Sequence, residues 1–193
     1  FIAEGVRGSL AKNIIANYNL SKNSDFPKFG IGIKEVWEVG AEKHREGQVL
    51  HTMGWPLGNS TGGGSFLYHG SDNQVYIGFV VHLNYKNPHL FPYKEFQRFK
   101  HHPFIYKLLE GGKRIEYGAR AISEGGIQSL PKLSFPGGVL IGCSAGFVNV
   151  PRIKGNHNAI LSGIAAAESA NSALSNGRSN DSLEEYEDKI VNG

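Results

Sequence analysis

The segment Gly142-Cys143-Ser144-Ala145-Gly146 combines residue types that serve three different chemistries. It matches the Gly-x-Ser-x-Gly turn that presents the serine nucleophile of α/β-hydrolases, it carries the only cysteine of the chain, and its glycines allow close approach to a ligand. A hydrolase is disfavoured because Pro151 and Gly155 delay the helix that has to follow the serine directly. In addition, no acidic residue lies between the serine and the one later histidine, His157. With no second cysteine as partner, Cys143 is best interpreted as a small buried residue and not as a redox thiol.

A cofactor site is the third chemistry that this segment supports. An apolar run of buried-strand type over residues 138–142 ends in glycine, a loop follows, and a helix is predicted to begin at Gly155-Asn156-His157. The free N–H groups at the start of a helix attract an anion or a polar ring. On the residues alone, an ordinary strand–loop–helix connection remains the alternative.

A second candidate site lies at the triple glycine Gly62-Gly63-Gly64, which precedes Phe66 and Tyr68 in a β-rich stretch. The backbone amides of such a segment can touch a ligand that lies over the two aromatic rings. A hairpin turn or a β-bulge explains the glycines equally well. The neighbouring pair His101-His102 is interpreted as capping or solvated residues, because adjacent residues do not share a helix face as a metal pair would need.

Composition limits the class of protein. The chain has 193 residues, a net charge of +3 and 26 glycines, and its Lys and Arg residues are scattered, so no nucleic-acid partner is expected. A single cysteine excludes an internal disulfide framework and an all-cysteine metal site within this chain. No apolar run reaches the roughly 18 residues that a membrane-spanning helix needs. Because the chain starts at Phe1 without a methionine, we expect it to be a segment of a longer protein.

The order of predicted elements suggests two domains. Ser9 is a suitable N-cap for a first helix, and the turn Ser71-Asp72-Asn73 predicts a hairpin between the two strands that flank it. The predicted helices cover residues 10–18, 92–100, 102–109 and 155–174, and the predicted strands cover residues 29–39, 48–53, 65–69, 74–83 and 113–122. This order predicts a mixed α/β (α+β) fold in which an α/β domain is interrupted by a mainly antiparallel β-sheet domain.

Several long motifs resemble one family. They are Gly30-Ile31-Gly32-Ile33-Lys34-Glu35, His51-Thr52-Met53-Gly54-Trp55-Pro56-Leu57, Gly64-Ser65-Phe66-Leu67-Tyr68-His69, the segment from Glu95 to Pro103, the segment from Leu109 to Ile115, and Tyr117-Gly118-Ala119-Arg120-Ala121. Together with the segment from Leu140 to Glu168, they are similar to electron transfer flavoprotein–ubiquinone oxidoreductase. The resemblance implies part of an FAD domain at residues 1–28, a ubiquinone-binding domain at 29–112 and a return to the FAD domain at 113–175. The tail at 176–193 is polar and acidic, and we expect it to be loose or to be the start of a truncated C-terminal region.

The same resemblance implies an activity. An enzyme of this family accepts electrons from reduced electron transfer flavoprotein and passes them through FAD to ubiquinone in the respiratory chain. It is associated with the mitochondrial inner membrane on its matrix side, or with the bacterial cytoplasmic membrane. The family also carries a [4Fe-4S] cluster, whose ligands are expected outside this chain, and the isolated segment is expected to be inactive. The alternatives are a related FAD-dependent reductase or hydroxylase acting on a lipid or isoprenoid, and an inactive ligand-binding fragment.

Site residues follow from the family motifs residue by residue. The resemblance implies contacts to FAD from the following residues: Gly5, Gly8, Gly142, Cys143, Ser144, Gly146, Gly155, Asn156 and His157. It implies contacts to ubiquinone from Gly63 and Gly64, and Phe66 and Tyr68 are predicted beside them. The chain departs from the family pattern at Gly62, where a tyrosine is usual, and at Val6-Arg7, where Cys-His is usual. Related flavoproteins also place an aspartate where Cys143 stands. No catalytic side chain and no metal ligand are assigned, and the amides at residues 155–157 are expected to stabilise negative charge on a reduced flavin by about 0.3–2 kcal/mol.

Overall fold

The computed structural model describes residues 1–192, and Gly193, the last residue of the predicted tail, lies outside the described residues. The elements in chain order are α1 (Ser9–Asn17), β1 (Phe29–Glu38), β2 (Val49–Thr52), β3 (Gly63–His69), β4 (Gln74–His82), α2 (Pro92–Lys100), α3 (Pro103–Leu109), β5 (Lys113–Ser123), β6 (Ser134–Phe135), β7 (Gly138–Val139), α4 (Asn156–Ser175) and α5 (Glu184–Asn192). The chain divides into two compact units. We call Phe29–Ala121 the sheet unit, and Phe1–Lys28 together with the described residues from Ile122 onward the terminal unit.

The sheet unit is built on a five-stranded sheet with the strand order β2-β3-β4-β1-β5. Strands β2, β3, β4 and β1 pair antiparallel with their neighbours, and β5 forms the edge beside β1. The turn at Ser71-Asp72-Asn73 joins β3 and β4, as predicted, and it places Asp72 and Asn73 at positive φ, which aspartate and asparagine tolerate better than most residues. The prediction of a mixed α/β fold with an antiparallel sheet is confirmed.

One face of this sheet forms the core of the unit. Val75, Ile77, Phe79 and Val81 alternate along β4 and are at most 1% exposed, because successive side chains of a strand point to opposite faces. Helices α2 and α3 supply the other side of the core, and both begin with a proline at the first turn, where the missing N–H costs nothing. The ring of Phe79 stacks on two phenylalanines of α2, Phe96 at 6.2 Å and Phe99 at 5.5 Å between centroids.

A buried ion cluster ties α2 to two strands of the sheet. Glu35 of β1 is 1% exposed, and its carboxylate accepts hydrogen bonds from Lys100 Nζ at 2.8 and 2.9 Å. Trp37 Nε1 donates at 2.8 Å to the same carboxylate, and Arg114 of β5 donates at 3.2 Å. The charge of Glu35 is therefore satisfied by two cations, Lys100 with a side chain 12% exposed and Arg114 with one 43% exposed, as a buried carboxylate requires.

The terminal unit has its own core around a short hairpin. Strands β6 and β7 pair antiparallel, and the residue after β7, Leu140, forms a parallel bridge with Ile2 near the start of the chain. The bridge is made by hydrogen bonds from Ile2 N to Val139 O at 2.9 Å and from Ile141 N to Ile2 O at 3.1 Å. The opening residues thus lie directly beside the strand that leads into the Gly142–Gly146 turn.

The prediction of a loose acidic tail is wrong for the described residues. Helix α5 packs on the terminal unit, where Tyr186 is fully buried and its hydroxyl donates to Leu140 O at 2.9 Å. The carboxylate of Glu187 accepts hydrogen bonds at 2.9 Å from the backbone N–H groups of Leu133 and Ser134 and from the Ser134 hydroxyl. Glu187 therefore satisfies backbone donors at the start of the β6–β7 hairpin, which composition alone does not reveal.

Two further predictions need correction. Ser9 does not cap α1: the N-cap is Gly8, and Glu4 Oε2 instead accepts from the Ala11 N–H at 2.7 Å. The predicted end of the ubiquinone-binding domain at residue 112 also differs from the structure, which places residues 113–121 in the sheet unit as most of β5. This strand extends the sheet beside β1 and brings Arg114 to Glu35.

Candidate functional site

The Gly142–Gly146 segment forms a tight turn directly after the strand that pairs with the start of the chain. Residues 142–144 make one turn of 3₁₀-helix, and Gly142 and Gly146 have φ values of +56° and +98°, which favour glycine. The Gly142 N–H donates to the hydroxyl of Ser162 on α4 at 3.0 Å. A Cβ atom on Gly142 would lie 3.3 Å from the Cβ of Ala159, so the turn and α4 pack closely.

The structure brings two of the predicted FAD segments together. The Gly5 N–H donates to Ser144 Oγ at 3.0 Å, and Gly5 has φ +80° with open space where a side chain would point. Gly8 leaves room for Glu4, whose carboxylate caps α1. Ser144 therefore joins the opening segment to the turn, and its hydroxyl already serves this contact.

The remaining chemistries of this turn are not supported by its geometry. Helix α4 begins only at Asn156, so no helix directly follows Ser144 as a nucleophile turn requires. Burial raises the pKa of the Cys143 thiol, which keeps it protonated and poorly nucleophilic near neutral pH. Within residues 1–192, no group of three or more His, Cys, Asp or Glu side chains could hold a metal ion.

The start of α4 offers donors to a ligand. Gly155 is the N-cap of α4, and no side-chain hydrogen bond caps this end of the helix. The N–H groups of Asn156, His157 and Asn158 belong to the first turn, which has no acceptor within the helix itself. The Gly142–Gly146 turn packs against the same helix through Ala159 and Ser162. A cluster of backbone donors beside a glycine turn fits the polar edge of a flavin, which becomes negatively charged on reduction.

The predicted ubiquinone residues lie on both faces of β3. Gly64, Phe66 and Tyr68 share the face opposite the core, and strand alternation places Gly63 with the buried Ser65 and Leu67. The ring of Phe66 lies over Gly78 of the neighbouring strand and stacks on Tyr68 with centroids 4.9 Å apart. The result is a half-exposed aromatic surface on one side of the sheet.

His51 is a member of this surface that the sequence did not single out. It pairs with Phe66 across β2 and β3, and its Nε2 lies 3.3 Å from the hydroxyl of Tyr68. The signal was present in the motif His51-Thr52-Met53-Gly54, but only the strand register shows that the imidazole and the phenol lie on one face. The surface (His51, Phe66 and Tyr68), called the aromatic face below, therefore combines apolar rings with two groups that can bond a carbonyl.

Glu124 is the second residue that sequence reasoning missed. It directly follows β5, lines a cavity of about 710 Å³ in the terminal unit, and is half-buried. Burial raises the pKa of its carboxyl to about 7. The turn Glu124-Gly125-Gly126 was a visible signal in the sequence, although its chemistry depends on the cavity that only the fold creates.

Comparison with solved structures defines the class of fold. The structure matches a geranylgeranyl bacteriochlorophyll reductase-like protein from Thermoplasma acidophilum with a TM-score of 0.66 at 20% identity, over 90% of this chain and 40% of that one. It also matches a variant of the halogenase PltM in complex with FAD, with a TM-score of 0.55 at 14% identity, over 92% of this chain and 38% of that one. The chain thus has a fold that is shared with a reductase-like protein and with a flavin-bound halogenase.

Sequence comparison then shows the family. Residues 29–122 match the family model described as ETF-QO, ubiquinone-binding. The chain is 53% identical to an electron transfer flavoprotein–ubiquinone oxidoreductase of Pseudomonas aeruginosa, over 96% of this chain and 34% of that protein. It is 56% identical to the mitochondrial one of Bos taurus, over 90% of this chain and 28% of that protein. The chain belongs to the electron transfer flavoprotein–ubiquinone oxidoreductase family, which confirms the resemblance in its motifs, and it spans about a third of the length of these relatives.

Proposed function

We propose that this chain is part of an oxidoreductase that passes electrons from reduced electron transfer flavoprotein, through FAD, to ubiquinone. The observation that carries the proposal is the aromatic face on β2 and β3, within the residues that match the ubiquinone-binding family model. The names of relatives that are more than half identical to this chain support the same activity.

The aromatic face suits a quinone headgroup. A quinone is flat and apolar with two carbonyl oxygens, so it needs a ring to stack on and a donor for each oxygen. Phe66, stacked at 4.9 Å on Tyr68, supplies the apolar surface. The Tyr68 hydroxyl and His51 Nε2 share a hydrogen bond at 3.3 Å, which leaves one donor of the pair to orient a carbonyl. Gly63 and Gly64 contribute backbone at the start of the same strand.

FAD is the proposed cofactor of the terminal unit, and bound FAD would accept and release electrons. The N–H groups of Asn156 and His157, behind the N-cap Gly155, would orient the ring and stabilise the charge that reduction creates. The Gly142–Gly146 turn would lie along the cofactor with Cys143 as a small residue beside its ribityl chain. The segment with Gly5 and Gly8, which bonds to Ser144, would complete this side of the site.

Three further expectations concern the complete protein. Its [4Fe-4S] cluster would have its ligands elsewhere, since Cys143 is the only cysteine of this chain. Electron transfer flavoprotein is the proposed electron donor. Association with a membrane surface is proposed because ubiquinone is a membrane lipid; within residues 1–192, no helix is long and apolar enough to cross a bilayer.

The test measures reduction of a short-chain ubiquinone by the complete protein that contains this chain, with reduced electron transfer flavoprotein as donor. Tyr68→Leu removes the ring and hydroxyl from the aromatic face, and the loss of roughly 0.5–1.5 kcal/mol of ring contact should raise KM for ubiquinone about 2- to 10-fold. Tyr117→Leu is the matched control, because Tyr117 is 80% exposed on the edge strand β5. Absence of quinone reduction, or equal KM values for both variants, would contradict the proposal.

A reductase acting on an isoprenoid double bond is the second candidate. It rests on the fold that the chain shares with a geranylgeranyl bacteriochlorophyll reductase-like protein. The two functions separate in one experiment, in which the reduced protein is offered a short-chain ubiquinone or a geranylgeranyl lipid. Reoxidation by the lipid alone would replace the first proposal with the second.

A further inference from the structure

Two carboxylate side chains, Glu124 and Glu168, line the cavity of the terminal unit, and Glu124 is the less exposed of the two. Glu124 lines it together with Gly146 of the glycine turn and Asn158 of the first turn of α4. Most of its other walls are apolar. They include Ile127, Leu130, Phe147, Leu161 and Ile164. In such apolar surroundings the charge of a bound cofactor is poorly screened, so it would act strongly on the Glu124 carboxyl.

The backbone fixes the position of this carboxyl. The Glu124 N–H donates to Lys28 O at 2.7 Å, directly at the end of β5. Gly126 has φ +72°, and a Cβ atom on Gly125 would collide with the side chain of Ser129, whose hydroxyl in turn donates to Gly126 O at 3.0 Å. These contacts restrict the turn after Glu124 to one backbone conformation, which places Glu124 at the wall of the cavity.

Glu124 is able to exchange a proton near neutral pH. Burial is the cause that raises the pKa of its carboxyl to about 7. The charged side chains that line the cavity with Glu124 are Glu168 of α4 and Lys189 of α5, and Lys28 lies on the segment whose backbone pairs with Glu124. Glu168 and Lys189 form an ion pair with each other at 2.7 Å. The raised pKa of Glu124 follows from burial and not from these charges.

We infer that Glu124 couples proton uptake to reduction of the cofactor. The inference rests on the proposed function, since it requires a flavin beside the Gly142–Gly146 turn. When electrons reach the flavin, the added negative charge favours the neutral carboxyl, and the Glu124 carboxylate takes one proton from water. When the two electrons leave for the quinone, the carboxyl releases that proton again, and the quinone completes its reduction with two electrons and two protons. Glu124 thus limits the build-up of negative charge in an apolar cavity.

The test is the pH dependence of the flavin midpoint potential in the complete protein, with Glu124→Gln as the variant. Above pH 7, where Glu124 is ionised before reduction, the wild type should take up one proton more per two electrons than the variant does. Below that pH the two slopes should converge, because the carboxyl is already protonated. Glu168→Gln is the matched control: Glu168 lines the same cavity but is 61% exposed and paired with Lys189, so its slope should equal that of the wild type.

Each outcome decides a separate question. A complete protein that binds flavin and reduces ubiquinone, but whose slope is unchanged by Glu124→Gln, overturns the coupling and leaves the proposed function intact. A complete protein without flavin overturns both. If the variant does not fold, the wild type labelled with ¹³C-glutamate is reduced in an infrared difference experiment. A gained carboxylic-acid band at pH about 8 supports the coupling, and its absence overturns it.

Discussion

Lys100→Met is expected to destabilise the sheet unit strongly. The substitution keeps an unbranched, apolar chain on α2 and removes the ammonium group that bonds both oxygens of Glu35 at 2.8 and 2.9 Å. Glu35 is 1% exposed, so water cannot replace the lost partner. Removing one partner of a buried pair costs about 3–5 kcal/mol. We expect a loss of about 3 kcal/mol, because the Trp37 N–H and Arg114 still bond the carboxylate.

Two further variants turn this loss into a measured coupling. Arg114→Met removes the second cation, whose side chain is 43% exposed, and it should cost clearly less because solvent screens that pair. The double variant Glu35→Gln/Lys100→Met removes the buried charge together with its partner, and the amide oxygen of the introduced glutamine can still accept from the Trp37 N–H. The double variant should therefore be more stable than Lys100→Met alone.

Urea unfolding followed by tryptophan fluorescence measures these free energies. The chain has two tryptophans, Trp37 and Trp55, and both lie in the sheet unit, so the signal reports unfolding of that unit. The reasoning would be refuted if Lys100→Met cost no more than Arg114→Met. It would also be refuted if the double variant were less stable than Lys100→Met.

Four further outcomes are expected. Gly64→Ala should lower stability by about 1–3 kcal/mol, because its Cβ would lie 2.7 Å from a carbonyl oxygen of β2; Gly118→Ala, with nothing within 4 Å, is the control in the same urea titration. Tyr186→Phe should cost about 1–2 kcal/mol in a far-ultraviolet circular dichroism melt, and an unchanged melt would show that α5 does not depend on the buried hydroxyl. Burial raises the pKa of the Cys143 thiol, so iodoacetamide should alkylate the folded chain more slowly than the urea-unfolded chain, and equal rates would count against this. Burial raises the pKa of Glu124 to about 7, above its unfolded value of 4.5, so the contribution of this carboxyl to stability is complete below pH 4.5 and is lost as the pH rises through 7. The free energy of unfolding should therefore fall over that pH range in the wild type, and it should fall less in Glu124→Gln.

The sequence predicts a helix or strand well where the hydrophobic period agrees with the residues that begin and end the element. Helix α2 spans residues 92–100, as predicted, because its proline start and amphipathic pattern are local signals. Helix α5 was missed for the opposite reason. Two of its apolar residues, Tyr186 and Ile190, stand four apart among charged residues, and only the fold shows that both pack against the core of the terminal unit.

The features that the sequence does not predict depend on contacts between residues far apart in the chain. Glu35 lies 65 residues from Lys100 and 79 residues from Arg114, so no local sequence pattern predicts this ion cluster. The residues assigned to FAD and ubiquinone came from the family resemblance, and their roles remain predictions. His51 joins the aromatic face only through the register of β2 on β3, which depends on the whole sheet.

The glycines of the proposed quinone site need a different interpretation from its aromatic residues. A Cβ atom on Gly63 would collide with the carbonyl oxygen of Val80, and one on Gly64 would press on Thr52 O. Both glycines are thus required by strand packing whether or not a quinone binds, so loss of activity on their substitution would not identify a ligand. Phe66 and Tyr68 carry no such backbone requirement and lie half-exposed on the face opposite the core. Side-chain substitutions on this face therefore test quinone binding, and glycine substitutions test only the sheet that presents it.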